Sequence, residues 1–155
     1  MSTAEESTVL HRFPDCGIDS LVVFLRQRGF RVGASEAIDA AKLVRALARQ
    51  GDPAALDVIE QSLKVDSWND VTRSGALEAL TALKPSDVVA RLKKHTAYGV
   101  PDTRRMTAIR CLAQVGVGRG DVQDHLIELL NDPYLLVQMA AVRGLTQIGD
   151  ERAIP

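Results

Sequence analysis

The stretch Ala141-Val142-Arg143-Gly144-Leu145, which ends four residues before Gly149, is the last of four segments with a shared pattern. The other three end four residues before positions 51, 84 and 116, and they read Leu43-Val44-Arg45-Ala46-Leu47, Ala76-Leu77-Glu78-Ala79-Leu80 and Ala108-Ile109-Arg110-Cys111-Leu112. The reference positions 51, 84, 116 and 149 lie about 33 residues apart, a typical period for repeated helix pairs. The sequence therefore predicts an array of helical repeats.

Apolar residues in each segment form one stripe along a helix. In the last segment Ala141, Val142, Leu145 and Ile148 lie eight, seven, four and one residues before the reference position. This spacing places them on one face of a helix with about 3.6 residues per turn. A second apolar helix is predicted after each of the first three segments, marked by Leu56, Ile59 and Leu63, by Val88, Val89 and Leu92, and by Val122, Leu126, Leu129 and Leu130.

Prolines and glycines indicate where these helices begin and end. Asp52 before Pro53 and Asp132 before Pro133 predict helix starts, because a carboxylate accepts hydrogen bonds from unpaired amides and proline fits the first helical position. Glycines enter the left-handed conformation easily after a last helical turn, which predicts stops at Gly51, Gly99, Gly116 and Gly149. The glycine-rich residues 116–120 are interpreted as a loop.

These patterns together predict an all-α fold, a right-handed α-solenoid of about three and a half helix pairs. We expect a flexible N-terminal segment over residues 1–17, a capping helix over 18–34 and a repeat domain over 35–155 whose last repeat is incomplete. The helix that ends near Ile148 would then keep an apolar outer face without its hairpin partner. Self-association or continuation of the chain is expected to cover that C-terminal edge.

Composition favours a soluble helical protein and names no partner. The chain has 19 Lys and Arg against 20 Asp and Glu, a formal net charge of -1, so no global field attracts nucleic acid or an anionic membrane. Aromatic residues make up only 4%, which favours a core of small and aliphatic side chains. The two distant cysteines, the polar beginning of the sequence and the lack of a long apolar run predict a cytoplasmic protein.

The repeated segments resemble a known family. Residues 107–116 and 140–155 look like HEAT repeats of the short kind first described in phycobilin lyases, and the resemblance covers roughly Ser35 to Pro155. It implies stacked helix pairs and, commonly, binding to other proteins. A phycobilin lyase-like function is one alternative that it leaves open.

A narrower resemblance involves residues 66–77 and the turn Tyr98-Gly99-Val100-Pro101. These stretches are similar to the HEAT-like C-terminal region of some zinc aminopeptidases of the His-Glu-x-x-His class. The sequence itself contains no His-Glu-x-x-His, so the zinc and its chemistry do not carry over. The resemblance implies a detached or truncated accessory module of such an enzyme.

The residues that could support catalysis favour structural interpretations. His11, His95 and His125 lie in different segments without a second ligand at helical spacing, so no metal site is predicted. Cys111 occupies the position of Ala46, Ala79 and Gly144 in the other segments, where helix packing requires a small residue, whereas Cys16 is expected to be exposed. We therefore expect no catalytic residue and no cofactor.

Charged and aromatic residues suggest contact surfaces. Lys93, Lys94, Arg104, Arg105 and Arg110 are interpreted as a solvated helical face, because acidic residues are interspersed and aromatic residues are few. The sixth position before each reference residue holds a charge, which predicts a charged ladder between repeats: Arg45, Glu78, Arg110 and Arg143. Trp68 and Tyr98 are expected to pack over joints between repeats, with partner anchoring as the alternative.

The function predicted from these observations is that of a non-catalytic scaffold or adaptor. We expect it to bind a protein through the groove formed by the second helices, where polar side chains vary between repeats. The predicted partner-binding residues are Glu60, Lys64, Arg91, Lys94, Gln123 and Glu128.

Overall fold

The computed structural model describes residues 55–149 and, before them, residues 41, 42, 44–46, 48, 49 and 51. Six α-helices and two short 3-10 turns make up the regular structure of residues 55–149, and these residues contain no β-strand. The helices are α1 (Ala55–Ser62), α2 (Val71–Leu83), α3 (Val88–Lys94), α4 (Asp102–Val115), α5 (Gly120–Glu128) and α6 (Leu135–Ile148). The all-α prediction is confirmed, whereas the predicted segments 1–17 and 18–34 lie outside the described residues.

The chain divides into two compact units, Met1–Leu83 and Lys84–Pro155. We call α2, α4 and α6 the first helices of their repeats, and α1, α3 and α5 the second helices. In the first unit, the helical residues from Ala41 onward pack beside α2, so closely that a Cβ on Gly75 would lie 2.5 Å from the Cβ of Ala41. The Arg45 guanidinium also pairs with the Glu78 carboxylate at 2.5 Å. The charged ladder predicted from the sequence is therefore formed in this unit.

In the second unit, α4 packs against α3, α5 and α6. Ile109, Leu112, Leu126 and Leu145 are fully buried between these helices, and burial of each such side chain stabilises the fold by roughly 1.5–3 kcal/mol. Gly144 approaches α4 and α5 closely, since a Cβ there would lie 3.2 Å from Leu126 Cδ1 and 3.5 Å from Ala113 Cβ. The sequence prediction of a position that requires a small residue is thus correct.

Cys111 occupies that same repeat position on α4. It is completely buried, which agrees with its interpretation as a small core residue. Cys16, the other cysteine of the sequence, lies outside the described residues.

One predicted helix start differs from the structure, and one predicted stop, Gly116, ends its helix as expected but has a different conformation. The last helix begins at Leu135, two residues after Pro133, and no side chain caps it. Gly116 has φ -94 rather than a left-handed value. This position requires glycine for a different reason, because a Cβ there would lie 2.5 Å from Val122 Cγ1. The left-handed residue of that loop is Gly118, with φ +74.

A recurring hydrogen bond closes the turn before each first helix. Eleven residues before the reference position, each of these helices carries a side-chain donor: Arg73, Arg105 or Gln138. We call this the clamp position. The donors bind the carbonyl groups of Leu63, Thr96 and Asp132 at 3.0, 2.8 and 2.7 Å, respectively. Each of these carbonyls follows the end of a helix, where no intrahelical partner exists.

Arg105 forms a buried ion pair in addition to its hydrogen bond at the clamp position. Its side chain is 1% exposed, and its two terminal nitrogens donate to both carboxylate oxygens of Asp132. Asp132 Oδ1 also accepts the backbone N–H of Tyr134 at 3.0 Å. Asp132 therefore fixes the turn before α6 by binding Arg105 and does not cap the helix as the sequence suggested. Arg105 was expected on a solvated face, and that expectation is wrong.

Removal of the guanidinium in Arg105→Met should lower the free energy of unfolding by about 3 kcal/mol, because it leaves the Asp132 carboxylate buried without its counter-charge. Urea unfolding followed by far-UV circular dichroism measures the change. The double variant Arg105→Met with Asp132→Ala should recover part of the loss.

Arg91→Met provides the matched control. Arg91 pairs with Asp87 at 2.7 Å on α3, where the two side chains are 30% and 50% exposed, so its replacement should change the unfolding midpoint far less. Equal destabilisation by Arg91→Met and Arg105→Met would contradict the structural role of the buried pair.

Candidate protein-binding surfaces

A groove with a cavity of about 560 Å³ runs between the first helices α4 and α6. Met106 and Arg110 of α4 line one side, and Leu136, Met139 and Arg143 of α6 line the other. Thr103, Thr107, Ala140, Gly144 and Gln147 complete the lining, which contains no carboxylate among the described residues. The α4–α6 groove is thus apolar with two guanidinium groups, one on each wall.

Large apolar side chains are exposed along α6. Leu135, Leu136, Met139 and Val142 are 66%, 53%, 42% and 44% exposed, respectively. Isolated exposed apolar residues are common on protein surfaces, but a contiguous set on one helix is typical of an interaction site. The sequence predicted an outer apolar face on this helix, and the structure places these side chains in solvent.

Two tyrosine rings stack at the turn where α6 begins. The ring centres of Tyr98 and Tyr134 are 6.0 Å apart, and the Arg105 guanidinium carbon lies 5.9 Å from the centre of the Tyr134 ring. A hydrogen bond with Tyr98 raises the pKa of the Tyr134 hydroxyl above its ordinary value. Tyr98 thus packs on the turn of the next repeat, as expected, but its side chain is not buried there, since it is 72% exposed. The alternative, in which Tyr98 anchors a partner, is compatible with this exposure.

The predicted partner-binding residues lie on the second helices. Glu60 is on α1 and Lys64 follows its end, in the first unit; Arg91 and Lys94 are on α3, and Gln123 and Glu128 on α5, in the second. Lys64, Lys94 and Glu128 are exposed, and the other three are half-buried. The binding role of these six residues stays a prediction, and the groove described above lies between first helices.

Polar contacts join α3 to α5 beside these residues. Lys93 Nζ donates to the Asp121 carbonyl at 2.7 Å, and Thr96 Oγ1 lies 2.8 Å from His125 Nε2. Burial of the His125 ring, assisted by the nearby Lys93 cation, lowers the pKa of His125 below its ordinary value of 6.5. Glu128, 3.6 Å from His125 Nδ1, acts in the opposite direction on the same pKa. We therefore expect protonation of His125 to weaken the contact between these helices.

The other candidate residues give no sign of a chemical site in the described part of the chain. His95 is half-buried after the end of α3, and His11 lies outside the described residues. Trp68 begins the 3-10 turn Trp68–Asp70, whose Asn69 and Asp70 have φ values of 49 and 59. No group of three or more His, Cys, Asp and Glu side chains among the described residues is placed to hold a metal ion.

None of the helices in the described ranges is long and apolar enough to cross a membrane.

Stacked helix pairs with exposed grooves define the class of helical-repeat proteins. The family model for HEAT repeats matches residues 31–113 and 100–155, and the chain belongs to that family. The HEAT-like resemblance inferred from the sequence is confirmed, but its narrower forms are not established by this match. No curated protein and no solved structure matches the chain.

Sequence reasoning missed the clamp position and therefore the groups that shape the turn before α6. The signal was available, because Arg73, Arg105 and Gln138 share one offset from the reference positions. It was obscured because the donor changes from guanidinium to amide, while the acceptor shared by the repeats is a backbone carbonyl, which carries no sequence signature. Tyr134 was missed for a related reason, since its backbone N–H binds the Asp132 carboxylate, which the sequence suggested as a helix cap.

Acidification should destabilise the protein through His125. Its folded-state pKa is lowered, so its contribution is fully present above about pH 6.5 and is lost as the pH falls through the folded value. Thermal unfolding midpoints measured between pH 7.5 and pH 5 should fall in the wild-type protein, and His125→Gln should show a weaker fall over that interval. His95→Gln serves as the control, and an unchanged pH dependence in His125→Gln would refute the assignment.

Proposed function

We propose that this HEAT-repeat protein is a non-catalytic scaffold or adaptor that binds another protein. The observation that carries this proposal is the exposure of Leu135, Leu136, Met139 and Val142 on one helix beside a groove. Water contact with such side chains is unfavourable, and a partner that covers them gains roughly 25 cal/mol for each Å² of apolar surface removed from water. HEAT repeats commonly serve protein interactions, which supports the same conclusion.

The proposal also covers the handedness of the array, the number of repeats, the bounds of the repeat domain and the cellular location. We infer a right-handed solenoid of about three and a half helix pairs, with the repeat domain over residues 35–155 and a cytoplasmic location. Nucleic acid is not expected as a partner because the formal net charge is -1. The polar second helices, including Arg91 and Lys94, remain the surface that the sequence favours for a partner.

An accessory module of a zinc aminopeptidase-like protein is a second candidate. The observation that favours it is the resemblance of residues 66–77 and of the Tyr98–Pro101 turn to the C-terminal region of those enzymes. A neighbouring reading frame that encodes a His-Glu-x-x-His helix would support it. A phycobilin lyase-like role rests on the repeat type alone, and failure to attach an added bilin covalently to a carrier protein would exclude it.

Affinity capture from an extract of the native cells tests the scaffold function. The wild-type chain should retain a specific protein that mass spectrometry identifies, and one of two variants should lose it. Arg91→Glu with Lys94→Glu reverses charge on the second helices, whereas Met139→Glu places a charge on the exposed face of α6.

Lys84→Glu, at an exposed position outside both surfaces, is the control and should retain the same protein. Absence of any specifically retained protein would contradict the scaffold function. Retention by both test variants would exclude both surfaces.

A further inference from the structure

The outer side of α6 carries a stripe of residues at the spacing of a helix that packs against a second helix. Its members are separated by four, three and four positions: Leu135, Met139, Val142 and Thr146. All four are exposed, and they lie on the side of α6 opposite its buried residues Val137, Ala141 and Gly144. We call these four residues the outer stripe.

The same repeat positions of α4 already form a helix interface. Ile109 of α4 corresponds to Val142 of α6, since each lies seven residues before its reference position. Ala113 corresponds to Thr146 in the same way, three residues before the reference position. Both α4 residues are completely buried, and a Cβ on Gly144 of α6 would lie 3.7 Å from Ile109 Cγ2 and 3.5 Å from Ala113 Cβ. On α4 this side of a first helix therefore receives another helix, and on α6 it is exposed.

The outer stripe can be buried without leaving one of its polar groups unpaired. Three of its four side chains are apolar, and the Thr146 hydroxyl donates to the Val142 carbonyl at 2.9 Å within the helix. Arg143, the single charged residue of α6, lies outside the stripe and lines the groove. The stripe therefore presents no charge that would select a charged partner or repel a second copy of itself.

The outer stripe matches a second α6 that runs in the opposite direction. Its spacing is the same from either end, so an antiparallel copy brings Leu135 level with the second copy's Thr146. In the same register Met139 meets the second copy's Val142. The two Arg143 residues are then offset by about 7.5 Å along the helix axes and do not oppose each other directly. A symmetric contact of this kind closes with two chains.

We propose that two copies of this chain form a two-fold symmetric dimer in which their outer stripes pack antiparallel. The inference goes beyond the scaffold function, which concerns another protein. The second copy covers the outer side of α6, whereas the groove beside it, with Leu136 and Arg143, remains for that protein. A stripe of about 16 Å on one helix gives a small interface, so the dimer is reversible and its population rises with concentration.

Sedimentation velocity of the purified full-length chain over a range of concentrations tests the proposal. The weight-average mass of the wild-type protein should rise with concentration from that of one chain towards that of two. Val142→Glu places a carboxylate against the second copy's Met139, where burial of an unpaired charge is unfavourable, so the dimer dissociation constant should rise by about tenfold or more.

Gln147→Glu is the matched control, because it introduces the same charge at an exposed position of the same helix, on its groove side. It should change the dissociation constant by less than about twofold. Circular dichroism of each variant establishes that it is folded.

An exchange of charges at the two ends of the stripe tests the antiparallel register. Leu135→Lys in one chain and Thr146→Glu in another should each weaken self-association, and an equimolar mixture of the two variants should recover dimers. The antiparallel register brings the introduced ammonium and carboxylate groups together, whereas a parallel register keeps them about 16 Å apart.

The proposal fails if the wild-type chain stays monomeric at every concentration, if Gln147→Glu weakens the dimer as much as Val142→Glu does, or if the mixture recovers no dimer. A monomeric chain that captures a protein from extract, and loses it on the Val142→Glu substitution, would show that this protein occupies the stripe. In that case the scaffold function stands and the dimer proposal falls. If the chain dimerises as expected but captures no other protein from extract, the scaffold function falls alone.

Discussion

The last carbonyl groups of a helix have no partner within it, and the way this chain satisfies them determines much of its structure. One side chain of each described first helix, at the clamp position, donates to the carbonyl that follows the preceding helix. The same bond is made by Arg73, Arg105 and Gln138, although their surroundings differ. It ties the end of one repeat's second helix to the first helix of the next repeat, so the turn between the two repeats has a defined geometry.

The clamp also connects the core of the second unit to its surface. Arg105 binds the Thr96 carbonyl and the Asp132 carboxylate together, and Asp132 in turn accepts the Tyr134 N–H. These bonds hold the turn extended as far as Tyr134, so α6 begins at Leu135. The Tyr134 ring then stacks on Tyr98, and the next residues carry the exposed apolar side chains of α6. The position of these exposed side chains thus depends on the buried pair of Arg105 and Asp132.

The repeat architecture could be predicted from the sequence because core packing imposes periodic requirements on side chains. The stripe residues Ala76, Leu77 and Leu80 of α2 and Ala108, Ile109 and Leu112 of α4 are buried for that reason, and so is the small residue at the position of Cys111 and Gly144. In α6 the stripe is recovered only in part, because Ala141 and Leu145 are buried but Val142 is 44% exposed. Helix starts were less predictable, because Asp132 before Pro133 has the composition of a cap but binds a distant guanidinium, 27 residues away in sequence. The burial of Arg105 could not be inferred either, since that requires knowledge of which carboxylate its helix approaches.

The candidate binding surface was harder to predict because the repeats vary where they do not need to pack. At the ladder position, the first unit forms an ion pair between Arg45 and Glu78, whereas the second unit places Arg110 and Arg143 along a groove. The fold tolerates both arrangements, since the position lies at the surface and an ion pair there contributes little to stability. A position that contributes little to stability is free to acquire a charge that serves binding. Departures from the repeat at such surface positions are therefore more informative about a partner than the residues that define the family.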